Sequence, residues 1–416
     1  MDKMIIKGPA KLNGEVSISR AKNAYLPILA AVLLSDKKIT LKNLPELRDI
    51  KTMIKLLQNL GVEVEKEGNL THFNPGTLSS HEATYDLVKT MRASIFTLGP
   101  LLTRLKKAKV SLPGGCAIGT RPIDIHLTNL EKMGAKINLE AGYVEADCPQ
   151  LKGTTLRLSF PSVGATENLM MAAVFAEGET VIENAAREPE IDDLANFLNA
   201  MGAKVSGIGS STIKIEGVKE LHEVEYEAIG DRIEAATYVM AGLITNSEIT
   251  VKDFNPHHID FVLEVLKDMG AKLEVGENFV KTYPSKLKHA KIETAPYPGF
   301  PTDAQAQMLA LMTIAEGTSV VAEHIFENRF MHVPELNRLG AKVDLEGNVA
   351  FVEGGHALKA APVMCTDLRA SAALILAALS ASGDTLIDRV YHLDRGYEKL
   401  DEKLSKLGAS VKRVNE

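Results

Sequence analysis

Tryptophan is absent from the chain, and cysteine occurs only three times, as Cys116, Cys148 and Cys365. Three scattered thiols with no CxxC pair and no Cys/His ligand spacing exclude a disulfide scaffold and a zinc site, and fit a chain kept in a reducing cytoplasm. No Lys/Arg-rich block occurs and the net charge is −7, so neither nucleic acid nor an anionic membrane surface is an expected partner. Long apolar runs are missing too. Ala24 to Leu34 and Ala370 to Ala381 hold about a dozen residues each, where a membrane span needs about 20. The start, MDKMIIKGPAKLNG, lacks the apolar stretch and cleavage site of a secretory signal, and no targeting segment is expected.

Composition is otherwise that of a folded protein, with 45% hydrophobic and 24% charged residues. At 416 residues the chain exceeds one ordinary core, so two or three domains are expected, and two fit best.

A repeat organises the chain. LLQNLGVEVE, LEKMGAKINLE, FLNAMGAKVSG, VLKDMGAKLEV, ELNRLGAKVDLE and KLSKLGASVKRV each read as the end of an amphipathic helix, a glycine and an alternating strand. Their glycines, Gly61, Gly134, Gly202, Gly270, Gly340 and Gly408, lie 73, 68, 68, 70 and 68 residues apart. Upstream of each stands an apolar segment: NAYLPILAAVLL, ASIFTLGPLL, ATENLMMAAVFA, EAATYVMAGLI, AQAQMLALMTIA and ASAALILAALS. A helix without a polar face must be surrounded by protein. The expected unit is strand, buried helix, strand, amphipathic helix and strand pair. Six copies make two α/β domains of three, with helices inside and sheets outside. Counting places the boundary near Gly230, since no linker marks it. A continuous ring of six units is the alternative. A DNA clamp of that shape would need basic helices along its bore, which these are not.

The buried segments begin with a recurring polar set: Ser19, Lys22 and Asn23; Arg92 and Ser94; Ser162 and Thr166; Asp231 and Arg232; Thr302 and Asp303; Thr366, Asp367 and Arg369. Ser, Thr and Asp there are good helix caps. Capping does not explain Lys22, Arg92, Arg232 or Arg369, because a cation at a helix N-terminus opposes the dipole. An anion held between dipole and cation does explain them. If the three buried helices of a domain run side by side, their starts share one face. Arg329 in FENRFMHVPEL and Arg395 in HLDRGYEKLDEKL are two further anion candidates, with an ordinary surface arginine as the rival reading.

LPGGCAIGTRPIDIH, Leu112 to His126, sets Cys116 directly after Gly114-Gly115 and five residues before Arg121. Mobility, exposure and a nearby cation favour thiolate chemistry. An inert buried cysteine is the alternative, and it is the reading for Cys148 and Cys365.

Taken together, RAKNAYLPIL, DLVKTMRAS, SLPGGCAIGTRPIDIH, SVGATEN, ENAAREPEI, FPTDAQAQ, FENRFMHVPEL, TDLRASAAL and DRGYEKL resemble the UDP-N-acetylglucosamine 1-carboxyvinyltransferase family of enolpyruvyl transferases over the whole chain. The resemblance implies two inside-out α/β barrel domains of three repeats each. One spans 22–229, and the other spans 230–416 and is completed by residues 1–21. It also implies transfer of the enolpyruvyl group of phosphoenolpyruvate to the 3′-hydroxyl of UDP-N-acetylglucosamine, with release of phosphate. That is the committed step of peptidoglycan synthesis, run by addition and elimination through a tetrahedral ketal, with no metal or organic cofactor.

By the same resemblance, Cys116 is the acid at C3, forms an adduct at C2 and is the target of fosfomycin. Asp303 takes the proton of the sugar hydroxyl, with helix capping as its rival role. Lys22, Arg121 and Arg395 surround the phosphate and carboxylate of phosphoenolpyruvate; Arg92 and Arg369 belong to the same electrostatic set, Asp367 contacts the intermediate, and Arg329 is expected among the substrate-binding residues. Asn23, Arg121, Pro122, Ile123, Asp124, Ile125, Ser162, Val163, Gly164 and Ile325 hold the sugar nucleotide. One departure stands out: Phe160-Pro161 occupies a place where some members carry a lysine facing the diphosphate, so other groups must bind it here. Sugar nucleotide binding is expected to close the domains and fold Leu112 to Arg121 over the cleft, excluding water. Two rivals remain. Transfer to shikimate 3-phosphate on the same fold gives no reason for the PGGCAIGTRP loop, and a binding protein without turnover would need neither Cys116 nor Asp303.

Overall fold

The computed structural model describes residues 2–85, 91–112 and 123–414, without the side chain of Arg92. The described chain divides into two compact units. One comprises residues 2–19 and 230–414, and the other residues 20–85, 91–112 and 123–229.

Each unit has three buried helices at its centre. In the second these are α1 (Lys22–Ala31), α2 (Leu98–Leu105, entered through a 3₁₀ turn Arg92–Thr97) and α3 (Val163–Ala173). In the first they are α4 (Arg232–Ile244), α5 (Thr302–Met312) and α6 (Leu368–Ser380). Every residue of α4 is buried, as the all-round apolar sequence predicts. Alanine-rich faces such as LRASAALILAALS let the helices approach closely while keeping high helix propensity. Three of the six carry a side-chain cap: Ser162 accepts from Ala165 N–H, Asp231 from Ile233 and Glu234, and Asp367 from Arg369 and Ala370. Each such cap stabilises its helix by about 1 kcal/mol.

Among the described residues, six four-stranded sheets cover these helices. In the third repeat, Thr155–Arg157 pairs in parallel with Glu179–Glu183, which pairs antiparallel with the hairpin Lys204–Ser206/Thr212–Glu216. Burial alternates along these strands, so one face of each sheet meets the helices. The outer helices end where the repeat predicts. All six glycines have positive φ, between 90° and 103°, the conformation that stops a helix and turns the chain into a strand.

Two sheets depart from simple counting. Asn13–Ser17 precedes α1 in sequence but pairs with Glu248–Lys252, while Val224–Tyr226 precedes α4 but pairs with Ile39–Lys42. The chain passes from one unit to the other between these strands and their following helices, at Ser19/Arg20 and Ile229/Gly230, so each strand stays in the unit it comes from. The sixth repeat lacks a hairpin partner of its own. Lys3–Gly8 supplies it, lying antiparallel between Gly383–Asp388 and Ser410–Val414 and burying Met4 and Ile6.

Candidate active site

In the unit containing α4, α5 and α6, a charge cluster with buried arginines centres on Asp303. This residue lies in the first turn of α5, but it does not cap the helix. Oδ1 accepts from Arg329 Nη2 at 2.8 Å and Oδ2 from Arg369 Nη2 at 2.9 Å. Both arginines are 3% exposed, whereas the Asp303 side chain keeps 29% of its surface. Burial by itself would raise the carboxyl pKa, but the guanidiniums of Arg369 and Arg329 outweigh it and hold Asp303 well below the usual carboxylate range. Burial alone would likewise lower the pKa of Arg369, and Asp303 reverses that. Among the described residues, Arg329 Nη1 and Arg369 Nε and Nη1 are buried without a hydrogen-bond partner. Buried donors of this kind call for an acceptor.

Four further polar residues hold this cluster. Tyr397, 1% exposed, lies under Arg369, with the guanidinium carbon 5.4 Å from the ring centroid. Its hydroxyl bonds Thr237 on α4 at 2.9 Å and Gln307 on α5 at 3.1 Å, and Gln307 donates to the Asp303 carbonyl at 2.9 Å. Tyr397 therefore ties the turn Val390–Arg395, which carries the half-buried Arg395, to the helices of Asp303 and Arg369. Glu323 does similar work for the segment before Arg329. It accepts from Thr302 at 3.0 Å, Thr294 at 2.8 Å and the N–H groups of Ile325 and Phe326 at 2.7 and 3.2 Å. Asp367 sits over the start of α6 as its cap. Sequence reasoning missed Tyr397, Gln307, Thr237 and Glu323. Polar residues inside otherwise apolar helices are the available signal for two of them.

In the other unit, Lys22 opens α1 and pairs with Asp49 at 3.3 Å. Asn23 follows it, and Pro27 one turn on has no N–H for the Asn23 carbonyl. Ser162, Val163 and Gly164 form the start of α3, all half-buried. Phe160 is 45% exposed, and its carbonyl accepts from Ser162 N–H at 2.7 Å. Ile123 precedes the helix Asp124–Lys132, with Asp124 exposed and Ile125 half-buried. This segment meets the start of α3, because His126 packs against Gly164. Cys116, Arg121 and Pro122 lie outside the described residues, as does the Arg92 side chain. Among the described residues, no three His, Cys, Asp or Glu side chains are grouped to hold a metal ion, and no helix is long and apolar enough to cross a membrane.

An α/β chain of six four-stranded sheets around buried helices, with a carboxylate clamped by two buried arginines at a helix start, defines a class. Its fold is that of the enolpyruvyl transferases. The enolpyruvyl transferase NikO of Streptomyces tendae superposes with a TM-score of 0.90 at 25% identity, over 99% of each chain. EPSP synthase of Acinetobacter baumannii shares the fold at a TM-score of 0.78 and 18% identity, over 100% of each chain. The family model of EPSP synthase (3-phosphoshikimate 1-carboxyvinyltransferase) matches residues 6–404. Among curated relatives, the UDP-N-acetylglucosamine 1-carboxyvinyltransferase of Geotalea uraniireducens is 54% identical and that of Geobacter metallireducens 53%, each over 417 residues and 100% of both chains. The chain belongs to the EPSP synthase family and, within it, to the UDP-N-acetylglucosamine 1-carboxyvinyltransferases.

Proposed function

We propose that this enzyme transfers the enolpyruvyl group of phosphoenolpyruvate to the 3′-hydroxyl of UDP-N-acetylglucosamine in the cytoplasm and releases phosphate. Relatives of that name align over the whole chain, which supports the reading. The observation that carries the chemistry is Asp303 held between Arg329 and Arg369. The two cations keep the carboxylate ionised, the form a general base requires, yet they lower its basicity. A substrate anion that draws either guanidinium away raises that basicity where the sugar hydroxyl is to lose its proton. The partnerless N–H groups of Arg329 and Arg369 are donors for such an anion.

In this proposal Cys116 protonates C3 of the enolpyruvate, and the sugar oxygen adds to C2. The ketal then loses a proton from C3 and the phosphate from C2. Lys22, Arg92, Arg121, Arg369 and Arg395 oppose the anionic groups, and preorganised cations stabilise charge as it grows on the departing phosphate. Asp367 contacts the intermediate. Asn23, 121–125, Ser162 to Gly164 and Ile325 hold the nucleotide. Phe160 cannot neutralise a diphosphate, so the N–H groups at the start of α3 carry more of that contact.

The test is phosphate release by the full chain with phosphoenolpyruvate plus either UDP-N-acetylglucosamine or shikimate 3-phosphate. Release with the sugar nucleotide alone is expected, and Asp303→Ala should lower kcat about 10²–10⁴-fold. Release with shikimate 3-phosphate would overturn the acceptor. Silence with both, from folded protein that binds the nucleotide, would leave a binding protein.

A further inference from the structure

We propose that Asn168 is a positioning residue for the acceptor site, joining the 123–125 segment to the start of α3 through one tautomer of His126. The inference rests on reading these two segments as the nucleotide site, and it deepens that reading.

Asn168 is fully buried in α3, a helix with no polar face to place it on. Its amide orientation is dictated by the backbone. Gly99 N–H must donate, so the atom at 2.8 Å is Oδ1; the Ile95 carbonyl must accept, so the atom at 3.1 Å is Nδ2. The second N–H of Nδ2 then points at His126 Nδ1, 3.0 Å away. That nitrogen presents its lone pair, and the neutral ring carries its proton on Nε2.

The geometry around this bond is close. A Cβ on Gly99 would stand 2.5 Å from both the Asn168 carbonyl and Oδ1, so the contact exists only with glycine at that position. A Cβ on Gly164 would stand 3.5 and 3.6 Å from Cε1 and Nε2 of His126 and 3.3 Å from Phe96. His126 lies two residues beyond Asp124 in the same helix. One buried amide thus holds three pieces of chain in register: the turn after Arg92, the start of α3 and the segment Ile123 to Ile125.

The test uses the full chain labelled with ¹⁵N-histidine. The His126 signals, one pair among 11 histidines, are those missing from His126→Phe. An unprotonated Nδ1 and protonated Nε2 are expected, with the proton moving to Nδ1 in Asn168→Asp. His126→Phe keeps the ring packing but loses the acceptor; it should raise KM for UDP-N-acetylglucosamine about tenfold, leaving kcat and KM for phosphoenolpyruvate within about threefold. His126→Asn, whose Oδ1 replaces Nδ1 as acceptor, should recover most of that loss. A protonated Nδ1 in the unaltered chain overturns the proposal. So does an unmoved nucleotide KM in both His126→Phe and Asn168→Asp, or a kcat that falls only with the folded fraction. Failure of the unaltered chain to bind UDP-N-acetylglucosamine in calorimetry overturns the functional reading and the acceptor role with it. Binding with the wrong tautomer overturns this inference alone.

Discussion

Each titratable group owes its behaviour to what surrounds it. Cys365 is fully buried, and burial pushes its thiol up to about 12, while Cys148 is 2% exposed. Cys365 offers no thiolate at neutral pH, and burial closes Cys148 to a reagent. Fosfomycin, an epoxide imitating phosphoenolpyruvate, should therefore add once, at Cys116; intact mass and peptide mapping that placed it on Cys148 or Cys365 would contradict the assignment. His332 is another case. It is fully buried just before the helix Val333–Arg338, and it is pushed down to about 4. Burial lowers it most, and Arg329 adds to this while Asp367 opposes it. The unfolded chain takes up this proton near pH 6.5, the folded chain only near 4, so the unfolded state binds more protons in that window. Stability should fall as pH drops from 6.5 to 4, and His332→Phe should flatten the melting temperature over that window. An unchanged slope would show that His332 does not titrate this way.

Elements divide into those that announce themselves and those that do not. The outer helices announce their ends, because a left-handed residue after the last turn suits glycine and costs other residues about 1–2 kcal/mol. Gly134 tests this cleanly: a Cβ there would meet only Cys148 Sγ at 3.9 Å, so Gly134→Ala should cost the backbone term alone, about 1–2 kcal/mol. Gly61→Ala should cost more, since its Cβ would lie 2.4 Å from Ser79 Oγ and 2.8 Å from two backbone atoms. Chemical denaturation giving equal losses would refute the distinction. The polar residues at the helix starts were harder to read. Ser162, Asp231 and Asp367 are caps as their residue types suggest, but Asp303 is not, because two guanidiniums from distant segments take both its oxygens.

For the whole molecule, the first eight residues matter beyond their number. Lys3–Gly8 lies between Gly383–Asp388 and Ser410–Val414, and without it Ser410–Val414 loses its ladder partner while Gly383–Asp388 keeps only the short Val363–Met364. A chain beginning at Pro9 should lose the cooperative melt of the unit built from 230–414, and a native-like melt would show the strand to be dispensable. Sequence by itself determined the repeats, the buried helices and the glycine stops. All are local properties: periodicity, backbone conformation and residue spacing. Only the tertiary structure decided that Asn13–Ser17 and Val224–Tyr226 pair away from the helices they precede, that Asp303 meets arginines 26 and 66 residues later, and that Asn168 sets the face of His126. Strand pairing and buried polar contacts are selected by packing and by the need to satisfy every desolvated donor and acceptor, and neither leaves a periodic trace in the chain.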